Sequence, residues 1–223
     1  MPNVLMPEWD ALLSSVAHLQ RILPEAVLVG GTAAALYAHH RVSVDHDHTL
    51  GDLKTRFDDV LAQLESVAGW KTARVRRPVC ILGSLDGIET GIRQLIREKP
   101  LETESLEVGG ERLLVPTKSE MLRIKAVLIL KRNATRDYLD FVALAEVLGE
   151  DGLGSAMRSF DELYPQENGA SSLQQLVIQL SNPMPYDLDS MDLSEYKHLK
   201  AEYQDWGAIK TMCRKLAELL FAL

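Results

Sequence analysis

The chain has 223 residues, 46% hydrophobic and 25% charged, enough to bury one sizeable core, or a core with a helical appendage. Its 32 acidic residues outnumber 24 basic ones for a net charge of −8, which argues against a broad nucleic-acid footprint and leaves room only for a local one. Two cysteines, Cys80 and Cys213, are too few for a disulfide framework or a cysteine zinc site, and they fit a reducing compartment.

The first residues carry neither a basic n-region nor an apolar h-region, so no secretory signal is expected there. No apolar stretch approaches the roughly 18 to 20 residues of a spanning helix; a cytoplasmic location without a membrane partner is the expectation. In chain order, Leu12, Leu13, Val16, Leu19 and Leu23 recur at helical spacing and Pro24 stops the run, which predicts a helix over 7–23. A short strand over 26–29 leads to the turn Gly30-Gly31-Thr32 and a small-residue helix from Ala33. Alternation predicts a strand over 42–48, then a helix over 53–67 and strands over 70–76 and 79–85. Asp86-Gly87 is a hairpin signal that pairs a strand over 88–94 with its predecessor, and 102–115 reads as a second hairpin around Gly109-Gly110. Thr117 and Glu120 form a capping box for a helix to about 131. Further helices are predicted over 136–148, 155–163, 171–180 and 194–221, with breaks at 149–154 and 181–192. The chain therefore divides into an α/β half, 1–116, and a helical half, 117–223.

The first of these features carries the most chemistry. A strand, a Gly-Gly-Thr turn and a small-residue helix precede Asp45-His46-Asp47. Strand alternation would set Asp45 and Asp47 on one face, about 6 to 7 Å apart. Two such carboxylates suit Mg²⁺, which is commonly held by one or two carboxylates together with substrate phosphates. The glycines let helix-start amides approach a phosphate. Each signal alone has a bland reading, a tight turn or a solvated strand face; the combination is more specific.

Val29-Gly30-Gly31-Thr32-Ala33 followed by Arg41-Val42-Ser43-Val44-Asp45-His46-Asp47 resembles the Gly-Gly-(Ser/Thr)…Asp-x-Asp signature of the nucleotidyltransferase superfamily, and within it the AbiEii/AbiGii-type toxin branch. A second block, Leu122-Arg123-Ile124-Lys125 with Arg132 and Arg136-Asp137-Tyr138-Leu139-Asp140, resembles that branch's helical Lys…Arg-Asp-x-x-Asp segment. The resemblance implies an α+β fold, a nucleotidyltransferase-like mixed sheet with flanking helices and a C-terminal helical domain that walls a cleft. It implies transfer of a nucleoside monophosphate from an NTP to a protein or tRNA acceptor by the toxin of a toxin–antitoxin pair, with a cognate antitoxin as partner. Asp45, Asp47 and Glu89 would then hold Mg²⁺, with Mn²⁺ as a substitute, and Glu89 would double as base. Gly30, Gly31, Thr32, Arg41, Ser43, Lys125 and Arg136 would contact the nucleotide. Glu89 stands where the family commonly has an aspartate.

Other readings compete. Lys125 sits in an apolar neighbourhood and either snorkels or points its charge into a site. Asp137 and Asp140 could equally form structural pairs with Arg136, Arg132 or Lys131. Four of the six histidines, His39, His40, His46 and His48, lie within ten residues. His46 and His48 read as hydrogen-bonded strand residues, as transition-metal ligands, or as part of a His-Asp phosphohydrolase, whose motif however lies on a helix. A catalytically silent binding or regulatory module of the same fold is the alternative to an enzyme. The acidic total is unevenly spread: 71–99 holds seven basic and three acidic residues, and 118–136 six and one.

Overall fold

A computed structural model describes residues 7–223; the segment 1–6, part of the stretch read above as carrying no secretory signal, lies outside the described residues. Helix α1 (Pro7–Ile22) buries Leu12, Leu13, Val16 and Leu19. Strand β1 (Val27–Val29) then runs straight into α2 (Gly30–Ala38). The expected Gly-Gly-Thr turn is thus the first turn of the helix itself. Gly30, at φ +79°, makes the reversal in one residue.

Strand β2 (His46–Leu50) starts four residues later than alternation predicts. By then its partner β1 has ended, since Val29 pairs with Asp47 and the next residue is helical. Helix α3 (Leu53–Glu65) is followed by β3 (Trp70–Arg76), β4 (Cys80–Leu85) and β5 (Ile88–Gln94). Asp86 and Gly87, at φ +53° and +85°, form the expected primed hairpin turn. The sheet order is β1-β2-β5-β4-β3, with β2 and β5 parallel and all other pairs antiparallel. One sheet face, with Trp70, Ile81, Leu85 and Ile92, forms the core with Leu19 and Leu23 of α1 and with Leu53, Phe57, Val60 and Leu64 of α3. Strands β6 (Thr103–Val108) and β7 (Glu111–Pro116) form a separate hairpin.

Helix α4 (Lys118–Arg132) opens as the capping box predicts, the Thr117 hydroxyl accepting from the Glu120 amide at 3.2 Å. Helix α5 (Thr135–Met157) is interrupted only at Gly149 and resumes at once, where a longer break was expected. The short α6 (Phe160–Leu163), α7 (Ser172–Ser181) and α8 (Trp206–Phe221) follow. The helix expected from 194 is delayed to 206. Instead, the Val42 amide donates to the Lys197 carbonyl at 2.8 Å and the Lys200 amide to the His40 carbonyl at 2.9 Å. A continuous helix would have used the Lys197 carbonyl and Lys200 amide internally.

The architecture is α+β, a mixed sheet with flanking helices and C-terminal helices, as expected. Two compact units are formed. One comprises the described residues through Ala33 together with Ser43–Pro116; the other comprises Ala34–Val42 and Thr117–Leu223. Residues 34–42 thus fold with the helical unit, where His40 and Arg41 pair with Asp140.

Candidate functional site

In the sheet-bearing unit, Asp47 is the second residue of β2 and faces away from the core. Its carboxylate lies against Gly30, where an added Cβ would be 3.6 Å from Oδ2; this is the start of α2, where the helix dipole favours negative charge. On the other side it overhangs Gly91 of β5, its register partner. A Cβ at Gly91 would overlap Asp47 Oδ1, so the glycine creates the space the carboxylate occupies. Arg93 Nε approaches Oδ1 at 3.4 Å, both side chains partly exposed.

Asp45 lies in a bend just before β2, so the expected strand alternation does not extend to it. Local hydrogen bonds fix it instead. Thr32 Oγ1 donates to its carbonyl at 2.6 Å, and Ser43 Oγ donates to its Oδ1 at 2.8 Å. Thr32 and Ser43 therefore spend their hydroxyl protons on Asp45. Gly30 and Gly31 are half-buried and contribute helix-start amides, which have no partner within the helix. Glu89 is exposed on β5, one register step before the pair His46 and Thr90, and so on the Asp47 face.

His46 and His48 occupy the opposite, core-facing side and are buried. Ser15 Oγ donates to the Leu85 carbonyl and Thr90 Oγ1 to the Ile88 carbonyl, so both hydroxyls accept from His46 Nε2, at 3.0 and 3.1 Å. That network assigns the proton to Nε2. His48 Nδ1 then donates to His46 Nδ1 at 3.4 Å, leaving His48 Nε2 without a partner. Burial lowers His46 from 6.5 to about 4, and burial with the neighbouring His46 holds His48 well below the ordinary imidazole range. Of the three readings, the hydrogen-bonded strand pair is what the structure builds; strand geometry also removes the helical His-Asp motif.

The second block forms a buried polar cluster in the helical unit. Asp140, fully buried, accepts from His40 Nε2 at 2.7 Å and from Arg41 at 2.8 and 3.1 Å, and pairs with Lys125 Nζ at 2.7 Å. Arg132 pairs with Asp137, which lies 3.7 Å from Lys125. Burial pushes the Asp140 carboxyl up, but Arg41 and Lys125 outweigh it and hold it well below the usual range. Arg41 also lies over the Tyr196 ring. Arg41 and Lys125, expected at the nucleotide, are both buried and face Asp140. Arg136 is exposed on α5.

Among the described residues, no group of three His, Cys, Asp or Glu side chains converges to hold a metal ion. Glu89 thus does not close a three-carboxylate set with Asp45 and Asp47, and the histidines do not join them. The donors present are two half-buried carboxylates at a helix start, a hard-oxygen pair that fits Mg²⁺ when phosphate oxygens complete the shell. Sequence reasoning passed over Gly91 and Arg93, although a lone glycine inside a strand pattern signals a close approach.

No protein-family profile matches the chain. Over 124 residues, 54% of the chain, it is 32% identical to the heme uptake protein MmpL11 of Mycobacterium tuberculosis and 29% identical to the mycolic acid-containing lipids exporter MmpL11 of Mycolicibacterium smegmatis. It spans only 12% and 13% of those much longer relatives. Among the described residues no helix is long and apolar enough to cross a membrane. In three dimensions the chain is similar to a putative nucleotidyltransferase from H. pylori, with TM-score 0.53 and 17% identity over 96% of this chain and 93% of that one. It is also similar to an antigenic nucleotidyltransferase-like protein from Paracoccidioides brasiliensis, TM-score 0.52 and 16% identity over 78% and 88%. A third similar structure, TM-score 0.50 and 11% identity over 69% and 97%, is ANT(2")-Ia in complex with adenylyl-2"-tobramycin. The chain has a nucleotidyltransferase-like fold.

Proposed function

We propose that this protein transfers a nucleoside monophosphate from an NTP to an acceptor and releases pyrophosphate. The observation that carries the reading is the placement of Asp47 beside Gly30 at the start of α2, with Asp45 clamped next to it by Thr32 and Ser43, in a fold similar to that of ANT(2")-Ia, solved in complex with adenylyl-2"-tobramycin. The Gly30 and Gly31 amides bind the phosphates of the nucleotide. Asp45 and Asp47 hold a divalent cation, which when bound offsets negative charge on the phosphates. Glu89, on the Asp47 face, takes the proton of the acceptor hydroxyl as its oxygen attacks the α-phosphorus and the bond to the β-phosphate oxygen breaks. Lys125 and Arg41 serve as structural partners of Asp140. The AbiEii-type resemblance extends the reading to a growth-arresting toxin with a cognate antitoxin.

The test is incubation of the purified chain with each α-labelled NTP and Mg²⁺, with and without total tRNA. Label moves to an acceptor, and Asp47→Asn lowers the rate by about a hundredfold or more. The absence of a closed three-carboxylate set among the described residues favours a second reading, a silent binding module. That reading holds if the wild type binds NTP without transferring label. If the wild type neither binds nor transfers, and Asp47→Asn behaves identically, the transferase reading fails.

A further inference from the structure

The sheet face that carries Asp47 continues across three more strands to a basic edge. Its register is fixed by pairing: Asp47 lies opposite Gly91, Gly91 opposite Leu82, and Leu82 opposite Arg74. Directly opposed residues share a face. The neighbouring rows run from Glu89 through Ser84 to Lys71, and from Arg93 through Cys80 to Arg76. Lys71, Arg74 and Arg76 are all exposed. They share this face only because β3 carries a bulge at Ala73, between Thr72 and Arg74. In an unbroken strand, Lys71 and the two arginines would point to opposite faces. Bulges re-aim side chains in this way.

We infer that this face binds the phosphodiester backbone of a single-stranded nucleic acid and leads one end of it towards Asp45 and Asp47. The inference rests on the transferase reading for calling that strand the acceptor. Charge complementarity supports the occupant, for the edge strand carries Lys71, Arg74 and Arg76 on this face with no acidic residue between them, while the following Arg77 is taken by Asp58 and the Phe57 ring. Arg74 and Arg76 stand two residues apart, about 6 to 7 Å along the strand, close to the step between successive phosphates of an extended chain. Guanidinium groups match phosphate oxygens in pairs. Adjacent strands lie about 4.8 Å apart, so the basic row is about 14 Å from Asp47, a reach of a few nucleotides. The rows from β2 to β3 contain no aromatic side chain, so bases are not stacked and binding is indifferent to sequence.

The experiment is equilibrium binding of fluorescent oligouridylate and oligodeoxythymidylate, about twelve nucleotides long, to the full chain across a salt series. For the wild type, three cations give log K a slope of about −2 against log salt. The double variant Arg74→Ala, Arg76→Ala shows a slope reduced by about 1.4 and binds about tenfold more weakly at low salt. Arg74→Lys, Arg76→Lys restores both, with thermal melting reporting that each variant is folded. The RNA and DNA arms show which strand is preferred. Equal binding by the wild type and the double Ala variant overturns the inference, as does no binding by the wild type at about 50 mM salt. Polyglutamate competing as well as the oligonucleotide at equal charge also overturns it and points to an acidic protein instead. Label transfer to a protein by a wild type that binds no oligonucleotide removes this surface and keeps the transferase reading. Oligonucleotide binding that depends on Arg74 and Arg76, with no label transfer to any acceptor, does the reverse.

Discussion

Asp140 shows how one carboxylate can determine the role of several residues that sequence alone would send elsewhere. Its neighbours Arg41 and Lys125 are buried with it, and a buried ion pair is stable only while every charge is met. Asp140→Asn leaves two buried cations short of a counter-charge. We expect it to cost about 3 to 5 kcal/mol in urea unfolding. Lys125→Met costs less, because Arg41 and His40 still face the carboxylate, and it leaves NTP binding unchanged. A selective loss of NTP binding in Lys125→Met, with normal unfolding, would return Lys125 to the nucleotide.

At the level of elements, register does most of the positioning. Strand β5 runs parallel to β2 and sets Gly91 beside Asp47, so a side chain there collides with the carboxylate rather than with the core. Gly91→Ala displaces the tip of Asp47, a movement the fold tolerates, and stability changes by no more than about 1 kcal/mol. Label transfer falls by about tenfold to a hundredfold, since a misplacement of about 1 Å costs that much at a reacting centre. Parallel rate and unfolding measurements check the split; unaltered transfer would remove Asp47 from the machinery. The hairpin, the capping box and the strands β3 to β5 are legible locally because turn chemistry and alternation act within a few residues. The late start of β2 and the irregular chain before α8 are not, because distant partners impose them: β1 ends at Val29, and residues 40 and 42 take the backbone groups of 197 and 200.

Over the whole molecule, three buried histidines link folding to pH. Burial lowers His40, although its bond to Asp140 raises it in part, and burial also lowers His46 and His48. Each folded value lies below the unfolded value, so the unfolded chain binds more protons under pH 6.5. Stability is therefore full above about 6.5 and falls as the pH drops. Below about pH 6.5 unfolding therefore takes up protons at these imidazoles that the folded chain excludes. Unfolding midpoints measured from about pH 7.5 down to 5 read that slope directly, and a flat profile would mean the histidines are solvated. The uneven charge of the chain has a parallel reading: within an acidic protein Lys71, Arg74 and Arg76 stand exposed together on one sheet edge, and the difference in salt slope between the wild type and the Arg74→Ala, Arg76→Ala variant measures that edge.

The sequence by itself determined the α+β class, most of the helices and strands, and the Gly-Gly-Thr and Asp-x-Asp elements, since these rest on periodicity, caps and turns written over short spans. Only the tertiary structure decided what those residues face. Asp47 meets Gly30 and Gly91, Thr32 and Ser43 serve Asp45, His46 and His48 turn into the core, and Lys125 is held by Asp140. The reason is physical: a side chain's partner is set by strand register and helix packing between segments up to a hundred residues apart, and one bulged residue at Ala73 is enough to decide which face two arginines present.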